Sequence, residues 1–251
     1  MHKCITYDFA HKTPETFVNV TVSLIHRIYF IKKLKHKPMM RHILSKNFAN
    51  PSNGIMGYLV TKYLVKTNRL VEHAAVRLCN IQPDDNVLEV GFGPGVGLNE
   101  AFKMVKDGSG IVHGIDISNR SFNTASRNLK QEIATGKVTL HMASVTDIPF
   151  EASTFDSIFH TNCYFYWPDM DAAAKELHRV IKPDRLMVTC HNHSLVKEIA
   201  KHGFMQGGNI DPDRYMSALE KNGFYDVNMK SVSFENKNVD AIVAKARKDV
   251  T

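Results

Sequence analysis

The feature that most constrains this chain is a short apolar strand that runs directly into closely spaced glycines. Residues 87–90 are apolar except for Glu89, and glycines then recur at every second position from Gly91 to Gly97. Such a run predicts a buried parallel strand, and glycine permits the left-handed backbone of a sharp turn. A helix predicted over 96–106 would point its N-terminal N–H groups into the same space. The stretch therefore predicts an α/β fold with a nucleotide-binding corner at the end of its first strand.

The rest of the chain alternates between strand and helix patterns. Strands are predicted at 86–91, 111–116, 137–142, 155–160 and 185–190, and helices at 96–106, 119–134 and 170–181. This alternation predicts a mostly parallel sheet with helices on both faces. Asp211-Pro212 is predicted to begin a further helix that ends near Gly223. The last two strands, 225–234 and 238–245, are predicted to form a hairpin around residues 236–238.

The N-terminal part of the chain has a different pattern. We expect residues 1–75 to form a helical extension that folds over the corner as a lid, and residues 76–251 to form the binding domain. Within the extension, Phe17–Phe30 fits a helix about as well as a strand, and a helix is predicted over 58–79. Pocket residues are expected at Tyr58, Tyr63 and Asn68, and hinges at Gly54 and Gly57.

The positive charge of the chain is concentrated in this extension. The net charge is +7, and between Glu15 and Glu72 there are ten Lys and Arg residues and no acidic residue. One interpretation is a solvated helical surface. The other is a basic patch that contacts an anionic membrane peripherally or binds nucleic acid.

Composition excludes several classes of protein. No run of about 18 apolar residues exists, so a membrane-spanning helix is not expected. The cysteines Cys4, Cys79, Cys163 and Cys190 form no CxxC pair, which favours a reducing compartment over a disulfide framework or a zinc site. No metal is expected, because His191 and His193 lack a third ligand. We expect a cytoplasmic monomer or homodimer, with a mitochondrial or membrane-peripheral location as alternatives.

Two features decide which nucleotide the corner fits. The dinucleotide fingerprint has the spacing G-x-G-x-x-G, but Val96 stands where its third glycine belongs. Glu89 would repel a pyrophosphate, whereas it suits a cationic ligand with a free amino group. Asp116 ends the second strand, where a carboxylate can accept hydrogen bonds from both ribose hydroxyls. The combination of Glu89, the glycine turn and Asp116 favours S-adenosylmethionine.

These residues resemble those of class I S-adenosylmethionine-dependent methyltransferases, of the small-molecule type related to quinone biosynthesis. Residues 87–95 match the glycine-rich first motif, 114–118 the ribose motif, 144–159 the adenine loop and fourth strand, and 176–183 the helix before strand five. The resemblance implies a Rossmann-like seven-stranded, mostly parallel sheet with an antiparallel C-terminal hairpin. It also implies S-adenosylmethionine as cofactor, S-adenosylhomocysteine as product and a small-molecule methyl acceptor as partner.

The resemblance also assigns the cofactor contacts. They fall on Glu89, Gly91, Phe92, Gly93, Gly95, Asp116, Ile117, Ser144, Val145 and Thr161. The adenine loop of the family usually carries an acid where Ser144 stands, so the Ser144 hydroxyl and the Val145 N–H would make a weaker contact. Asp184 and Arg185 stand where the family usually has two glycines.

An aromatic segment follows the fourth strand at residues 160–167. It should lie beside the sulfonium, because ligands of open α/β sheets sit beyond the carboxyl ends of the strands. His160, Tyr164 and His191 are the candidate bases for a phenol, amine or carbon acceptor. Methyl transfer would be an in-line displacement, which the protein accelerates by aligning the nucleophile and excluding water. The alternative for His160 is a structural strand-end histidine.

Other functions are alternatives to a small-molecule methyltransferase. One is a protein that binds S-adenosylmethionine without catalysis, and another is a nicotinamide-dependent oxidoreductase. An arsenite methyltransferase is a third, because Asn162-Cys163 resembles a cysteine-bearing segment of that family. An RNA methyltransferase would use the basic extension. Nucleic acid is disfavoured, because residues 162–165 match poorly the Asn-Pro-Pro-aromatic tetrad of enzymes that methylate amino groups of nucleic acids.

Overall fold

The computed structural model describes residues 38–52, 54–203, 205 and 209–248. The predictions for residues 1–37, including Phe17–Phe30, lie outside this part of the chain. The helices are α1 (Pro38–Ala49), α2 (Ile55–Leu78), α3 (Val96–Val105), α4 (Asn119–Asn128), α5 (Lys130–Ala134), α6 (Met170–Val180), α7 (His193–Lys201) and α8 (Pro212–Lys221). The strands are β1 (Asn86–Val90), β2 (Ile111–Asp116), β3 (Val138–Met142), β4 (Phe155–Thr161), β5 (Ile181–His191), β6 (Phe224–Phe234) and β7 (Lys237–Ala246).

These seven strands form one sheet in the order β3-β2-β1-β4-β5-β7-β6. Strands β1 to β5 are parallel, and β7 runs antiparallel between β5 and β6. The predicted Rossmann-like sheet with an antiparallel C-terminal hairpin is therefore confirmed. The strand order reverses between β1 and β4, and open α/β sheets bind ligands at such a reversal.

Helices cover both faces of the sheet. Helices α2 and α3 pack on one face, where Val87 and Phe159 join their apolar side chains. Helices α6 and α8 pack on the other face, against Leu88 and Ile158. Neighbouring residues of a strand point to opposite faces, so each central strand contributes to both cores. The same alternation decides which side chains at the strand ends face the cavity.

Helix α2 is part of the packed structure at its C-terminal end. Its residues Val71, Ala74 and Ala75 are buried and recur at helical spacing. They join the core that α3 and the sheet form. The domain boundary expected between residues 75 and 76 lies inside this helix, so the end of the predicted extension is attached directly to the sheet.

Two helical segments differ from the sequence prediction. The single helix predicted over 119–134 is divided into α4 and α5, because Leu129 leaves helical geometry at φ −111° and ψ 26°. The segment 191–210, where the sequence predicts no helix, contains α7. The Asn192 side chain caps this helix by accepting the Leu195 N–H, and asparagine is a strong N-cap residue.

The C-terminal hairpin turns one residue earlier than predicted. Phe234 pairs with Lys237, so the turn consists of Glu235 and Asn236. Their φ values of 47° and 60° fit a two-residue type I′ turn, whose twist matches that of the strands. This turn reaches the wall of the central cavity, so the hairpin is part of the site.

A buried carboxylate joins three strands at the opposite end of the sheet. Asp156, 7% exposed near the start of β4, accepts the backbone N–H of Asn86 at 3.1 Å. It also accepts a hydrogen bond from Lys182 at 2.8 Å and pairs with Arg185 at 3.1 Å, both near the start of β5. Charge-assisted bonds are stronger than neutral ones, so Asp156 helps to fix the register of β1, β4 and β5.

Replacement of this carboxylate tests its structural role. Asp156→Ala should lower the free energy of unfolding by about 1–3 kcal/mol, because the Asn86 N–H loses its acceptor. Urea denaturation measures the change. Asp171→Ala is the control, since Asp171 is an exposed carboxylate that pairs with Lys221 on the surface and should cost much less. Equal stability of the two variants would contradict the role given to Asp156.

Candidate functional site

A cavity of about 1020 Å³ opens at the carboxyl ends of β1, β2 and β4. Gly91, Asp116 and Thr161, at or directly after these three strand ends, all lie in its wall. The rest of the wall comes from the α1–α2 region, the loop 143–145, the segment after β4, helix α7 and the hairpin turn. The cavity therefore lies at the corner that the sequence indicates.

The loop between β1 and α3 depends on glycines in the left-handed region. The φ angle is 72° at Gly91, 51° at Gly93 and 86° at Gly95, values that other residues rarely adopt. A Cβ at Gly93 would meet no atom within 4 Å, whereas a Cβ at Gly95 would lie 2.9 Å from the Leu129 side chain. Gly93 therefore faces open space. Gly95 instead permits close packing of α3 on α4 and does not line the cavity.

Asp116 ties this loop to the end of β2. One carboxylate oxygen accepts the Gly93 N–H at 2.9 Å, and the other accepts the Ser118 N–H at 2.8 Å. Burial raises the pKa of Asp116, and these N–H donors oppose the rise. A carboxylate has lone pairs for about four hydrogen bonds, so Asp116 can also accept bonds from the hydroxyl groups of a ligand.

The predicted adenine-loop residues lie together beyond Asp116. Ile117, Ser144 and Val145 all line the cavity. Ile117 is 57% exposed and offers an apolar surface, whereas the Ser144 hydroxyl bonds the Thr146 hydroxyl at 2.8 Å. Phe92 also reaches the wall, but it is only 1% exposed. This part of the cavity therefore combines an apolar surface with a few polar groups.

Two buried carboxyl groups lie behind the glycine loop. Glu89 is fully buried in β1, and Glu72 of α2 is 6% exposed and lines the cavity. A Cβ at Gly97 would lie 2.4 Å from Glu89 Oε1 and 2.8 Å from Glu72 Oε2, so both groups fill the space beside that glycine. Thr161 donates a hydrogen bond to Glu72 Oε1 at 2.6 Å. The sequence predicts Glu89 and Thr161 here but gives no signal for Glu72.

Burial gives these two carboxyl groups unusual acidities. It raises the pKa of Glu72 to about 7, although the bond from Thr161 opposes the rise. Burial, reinforced by the charge of Glu72, also holds the pKa of Glu89 well above its ordinary value. The backbone N–H of Leu98 opposes this rise in the pKa of Glu89, but it does not form a hydrogen bond with either Glu89 oxygen. This end of the cavity is therefore acidic and able to hold a proton.

The three candidate bases lie together, but beneath the cavity wall. His160, Tyr164 and His191 are fully buried, and none of them lines the cavity. His160 Nε2 lies 2.8 Å from the Tyr215 hydroxyl, and the Tyr164 ring stacks on that of Tyr215 at 4.6 Å. Successive side chains of a strand point to opposite faces of the sheet. Because Thr161 faces α2, the adjacent His160 faces α8.

The acidities of these histidines follow from the same burial. It lowers the pKa of His160 to about 3 and that of His191 to about 4. Both imidazoles are therefore neutral at physiological pH. Their positions do not support direct contact with a methyl acceptor, and a catalytic role for them stays a prediction.

Part of the cavity wall is apolar and aromatic. It is built from the segment after β4, from α7 and from one residue beyond α7, and consists of Phe165, Tyr166, Trp167, Leu195, Val196, Ile199 and Met205. The sequence indicates the aromatic residues. It does not indicate the α7 residues, because no helix is predicted there. This wall can enclose a flat or aliphatic part of a ligand.

The residues that the sequence predicts as pocket residues of the lid do not all line the cavity. Asn68 lines the cavity, as expected, together with Lys66 and Arg69 of the same helix. Tyr58 is 51% exposed and lies outside the wall. The side chain of Tyr63 lies outside the described part of the chain. A basic rim from α2 thus borders the cavity.

The described residues contain neither a cluster suited to a metal ion nor a helix suited to cross a membrane. None of their His, Cys, Asp and Glu side chains form a group of three or more that could hold a metal ion. None of their helices combines the length and apolarity that crossing a membrane requires.

Known proteins share both the sequence motifs and the fold. Residues 87–184 match a family model described as a methyltransferase domain. The chain is 31% identical over 129 residues to the "Uncharacterized methyltransferase YdaC" of Bacillus subtilis, covering 51% of this chain and 66% of that protein. It is 27% identical over 135 residues to the ubiquinone/menaquinone biosynthesis C-methyltransferase UbiE of Vibrio cholerae. This alignment covers 53% of this chain and 52% of that protein.

A solved structure shares the fold of this chain. The crystal structure of a SAM-dependent methyltransferase from Aquifex aeolicus superposes with a TM-score of 0.61 at 22% identity, covering 74% of this chain and 96% of that one. Residues 87–184 of this chain therefore carry a methyltransferase domain, as the sequence motifs predict. The chain spans 66% and 52% of the length of the two curated relatives named above.

Replacement of Gly97 by alanine tests whether the Glu72 and Glu89 carboxyl groups pack against this glycine. Gly97→Ala should lower the free energy of unfolding by about 1–3 kcal/mol, because its methyl group overlaps the Glu89 and Glu72 carboxyl groups. Gly54→Ala is the matched control, since its nearest heavy atom would lie 3.9 Å from the new Cβ. Thermal unfolding compares the two. A Gly97→Ala variant as stable as wild type would show that the pair is not packed against this glycine.

Proposed function

We propose that this chain transfers a methyl group from S-adenosylmethionine to an apolar small molecule. The observation that carries the proposal is the division of one cavity into two parts. The end at Gly91, Gly93 and Asp116 has the loop amides and the carboxylate that a nucleoside requires. The side at Trp167 and α7 is apolar and aromatic. Donor and acceptor would therefore meet inside a single enclosed space.

The residues of the corner fit the parts of S-adenosylmethionine. Asp116 would accept hydrogen bonds from the ribose hydroxyls. Ile117 and the loop at Ser144 and Val145 would border the adenine. The amino-acid end would lie over Gly91 and approach the acidic group formed by Glu72 and Glu89. An acidic surface suits this end, because the ligand carries a sulfonium and an ammonium charge.

The protein contributes to the reaction mainly through position. S-adenosylmethionine, when bound, supplies a methyl group on a sulfonium that is already a good leaving group. Phe165, Tyr166 and Trp167 would hold a flat acceptor against the methyl group and exclude water, so that the displacement proceeds in line. The half-buried rings of Tyr166 and Trp167 also suit a cationic donor, since aromatic faces attract cations.

The role of Asp116 gives a direct test of cofactor binding. Asp116→Ala should weaken the binding of S-adenosylhomocysteine at least about tenfold, because the ribose loses charge-assisted hydrogen bonds. Isothermal titration calorimetry measures the affinity, with circular dichroism as the check on folding. Asp213→Ala, on the surface of α8, is the control. Unchanged affinity in a folded Asp116→Ala protein would contradict the assignment.

A methyl-transfer screen tests the activity itself. Methyl-labelled S-adenosylmethionine is incubated with phenols, amines, quinols and lipids, and the labelled products are extracted. Transfer to an apolar acceptor, lost in Asp116→Ala, would support the proposal. Cofactor binding without transfer to any acceptor would instead favour the alternative, a binding protein that has kept the fold without catalysis.

We also propose that the start of α2 contacts an anionic membrane surface. Ile55, Tyr58 and Leu59 are 82%, 51% and 54% exposed. Lys62 and Arg120 flank the Tyr58 ring at 5.7 Å and 5.8 Å. Apolar side chains among basic ones are the pattern of helices that lie in the interface of anionic lipids. Thr61, about one turn further along α2, lines the cavity, so an apolar acceptor could enter from the lipid.

Vesicle sedimentation of the full chain tests this contact. The protein should sediment with vesicles that contain phosphatidylserine and much less with pure phosphatidylcholine, and added salt should weaken the binding. Replacing Ile55, Tyr58 and Leu59 together by serine should reduce sedimentation several-fold. Met142→Ser is the control, since Met142 is also 50% exposed but lies at the end of β3. Equal sedimentation of both variants would contradict a membrane role for α2.

A further inference from the structure

The carboxyl pair of Glu72 and Glu89 has no counter-charge among the residues that the structure describes. Glu72 accepts one hydrogen bond, from Thr161. Its second oxygen and both oxygens of Glu89 meet no donor at hydrogen-bond geometry among the described residues. No ion pair between described residues includes either group. Buried carboxylates without partners are costly, so the free protein requires a compensation for this pair.

The groups around the pair increase the cost of its charge. Asp116 adds negative charge at Glu89. Burial and the charge of Glu72 raise the pKa values of the Cys163 and Cys190 thiols, so both thiols are uncharged. On α2, His73 lies 3.2 Å from Glu100, and Lys66 and Arg69 line the cavity. In the described part of the chain, none of these three basic side chains forms an ion pair with Glu72 or Glu89.

A shared proton is the compensation that this geometry allows. Both carboxyl groups lie within 2.8 Å of the position that a Cβ at residue 97 would occupy, and the charge of Glu72 raises the pKa of Glu89. Two carboxylates that share a site do not both ionise at neutral pH, and they titrate as a unit. Burial holds the pKa of Glu89 well above its ordinary value, so Glu89 keeps a proton near pH 7, where Glu72 is partly protonated.

Glu72 lines the cavity at the end where the proposed cofactor places its amino acid. We propose that an ammonium group of the bound cofactor replaces the proton that Glu72 holds in the Glu72–Glu89 pair, so that cofactor binding releases a proton to solvent. This inference rests on the proposed function. The exchange is balanced, because one positive charge enters the site as the ammonium and one leaves as the proton. No covalent bond is made or broken.

The exchange makes the affinity for the cofactor depend on pH in one direction. Binding favours the ionised pair, so the pKa of Glu72 falls in the complex from about 7 in the free protein. Affinity should then rise with pH below about 7 and level off above it. The slope of the logarithm of affinity against pH should approach about one at the acidic end.

Calorimetry of the full chain with S-adenosylhomocysteine measures the proton directly. Titrations at about pH 6.5 in buffers of different ionisation enthalpy should show release of a large part of one proton per ligand bound. Glu72→Gln should abolish this release and weaken binding by about tenfold or more, because a charge-assisted bond to the ammonium is lost. Glu220→Gln, on the exposed surface of α8, is the matched control and should behave as wild type.

Methylthioadenosine is the second probe, since it has the adenosine and thioether but lacks the amino acid. Its binding should release no proton and should be equal in wild type and Glu72→Gln, which also shows that the variant is folded. Release of a proton by both ligands, or equal affinity of wild type and Glu72→Gln for S-adenosylhomocysteine, would overturn the inference while leaving cofactor binding intact. Failure of wild type to bind either ligand would overturn the proposed function as well.

Discussion

The site depends on the parallel arrangement of β2, β1 and β4, whose carboxyl ends open onto one edge of the sheet. Because β1 lies between the other two, Gly91 has Asp116 on one side and Thr161 on the other. The hydrogen bond from the Gly93 N–H to Asp116 then holds the glycine loop against β2. The cavity exists where these groups meet, and the helices add its outer walls.

The carboxyl pair shows how this arrangement favours function at a cost to stability. Glu89 lies in the buried strand that begins the corner, and Glu72 comes from a helix that packs across it. An apolar pair would suit this core better, since buried carboxylates raise the free energy of the folded state. A cationic ligand explains why such a site is acidic. Perturbed acids in a cleft are typical of functional sites.

Much of the fold and half of the site could be predicted from local sequence. The glycine spacing, Glu89 and Asp116 lie on consecutive elements, so their proximity follows from the topology of parallel strands. Glu72 could not be found in this way, because its partner Thr161 is 89 residues away in the chain and nothing in α2 indicates which face meets the sheet. The sequence shows that neighbouring residues of β4 point to opposite faces of the sheet, but it does not show which face α2 covers. His160 was therefore expected in the cavity.

The central claim is that one cavity holds S-adenosylmethionine at the glycine corner with its amino acid toward the carboxyl pair. A crystal structure of the full chain with S-adenosylhomocysteine tests this most directly. The account predicts the ribose hydroxyls on Asp116, the adenine beside Ile117 and the ammonium within hydrogen-bond distance of Glu72. A ligand bound elsewhere, or in the corner with its amino group turned away from Glu72, would contradict it.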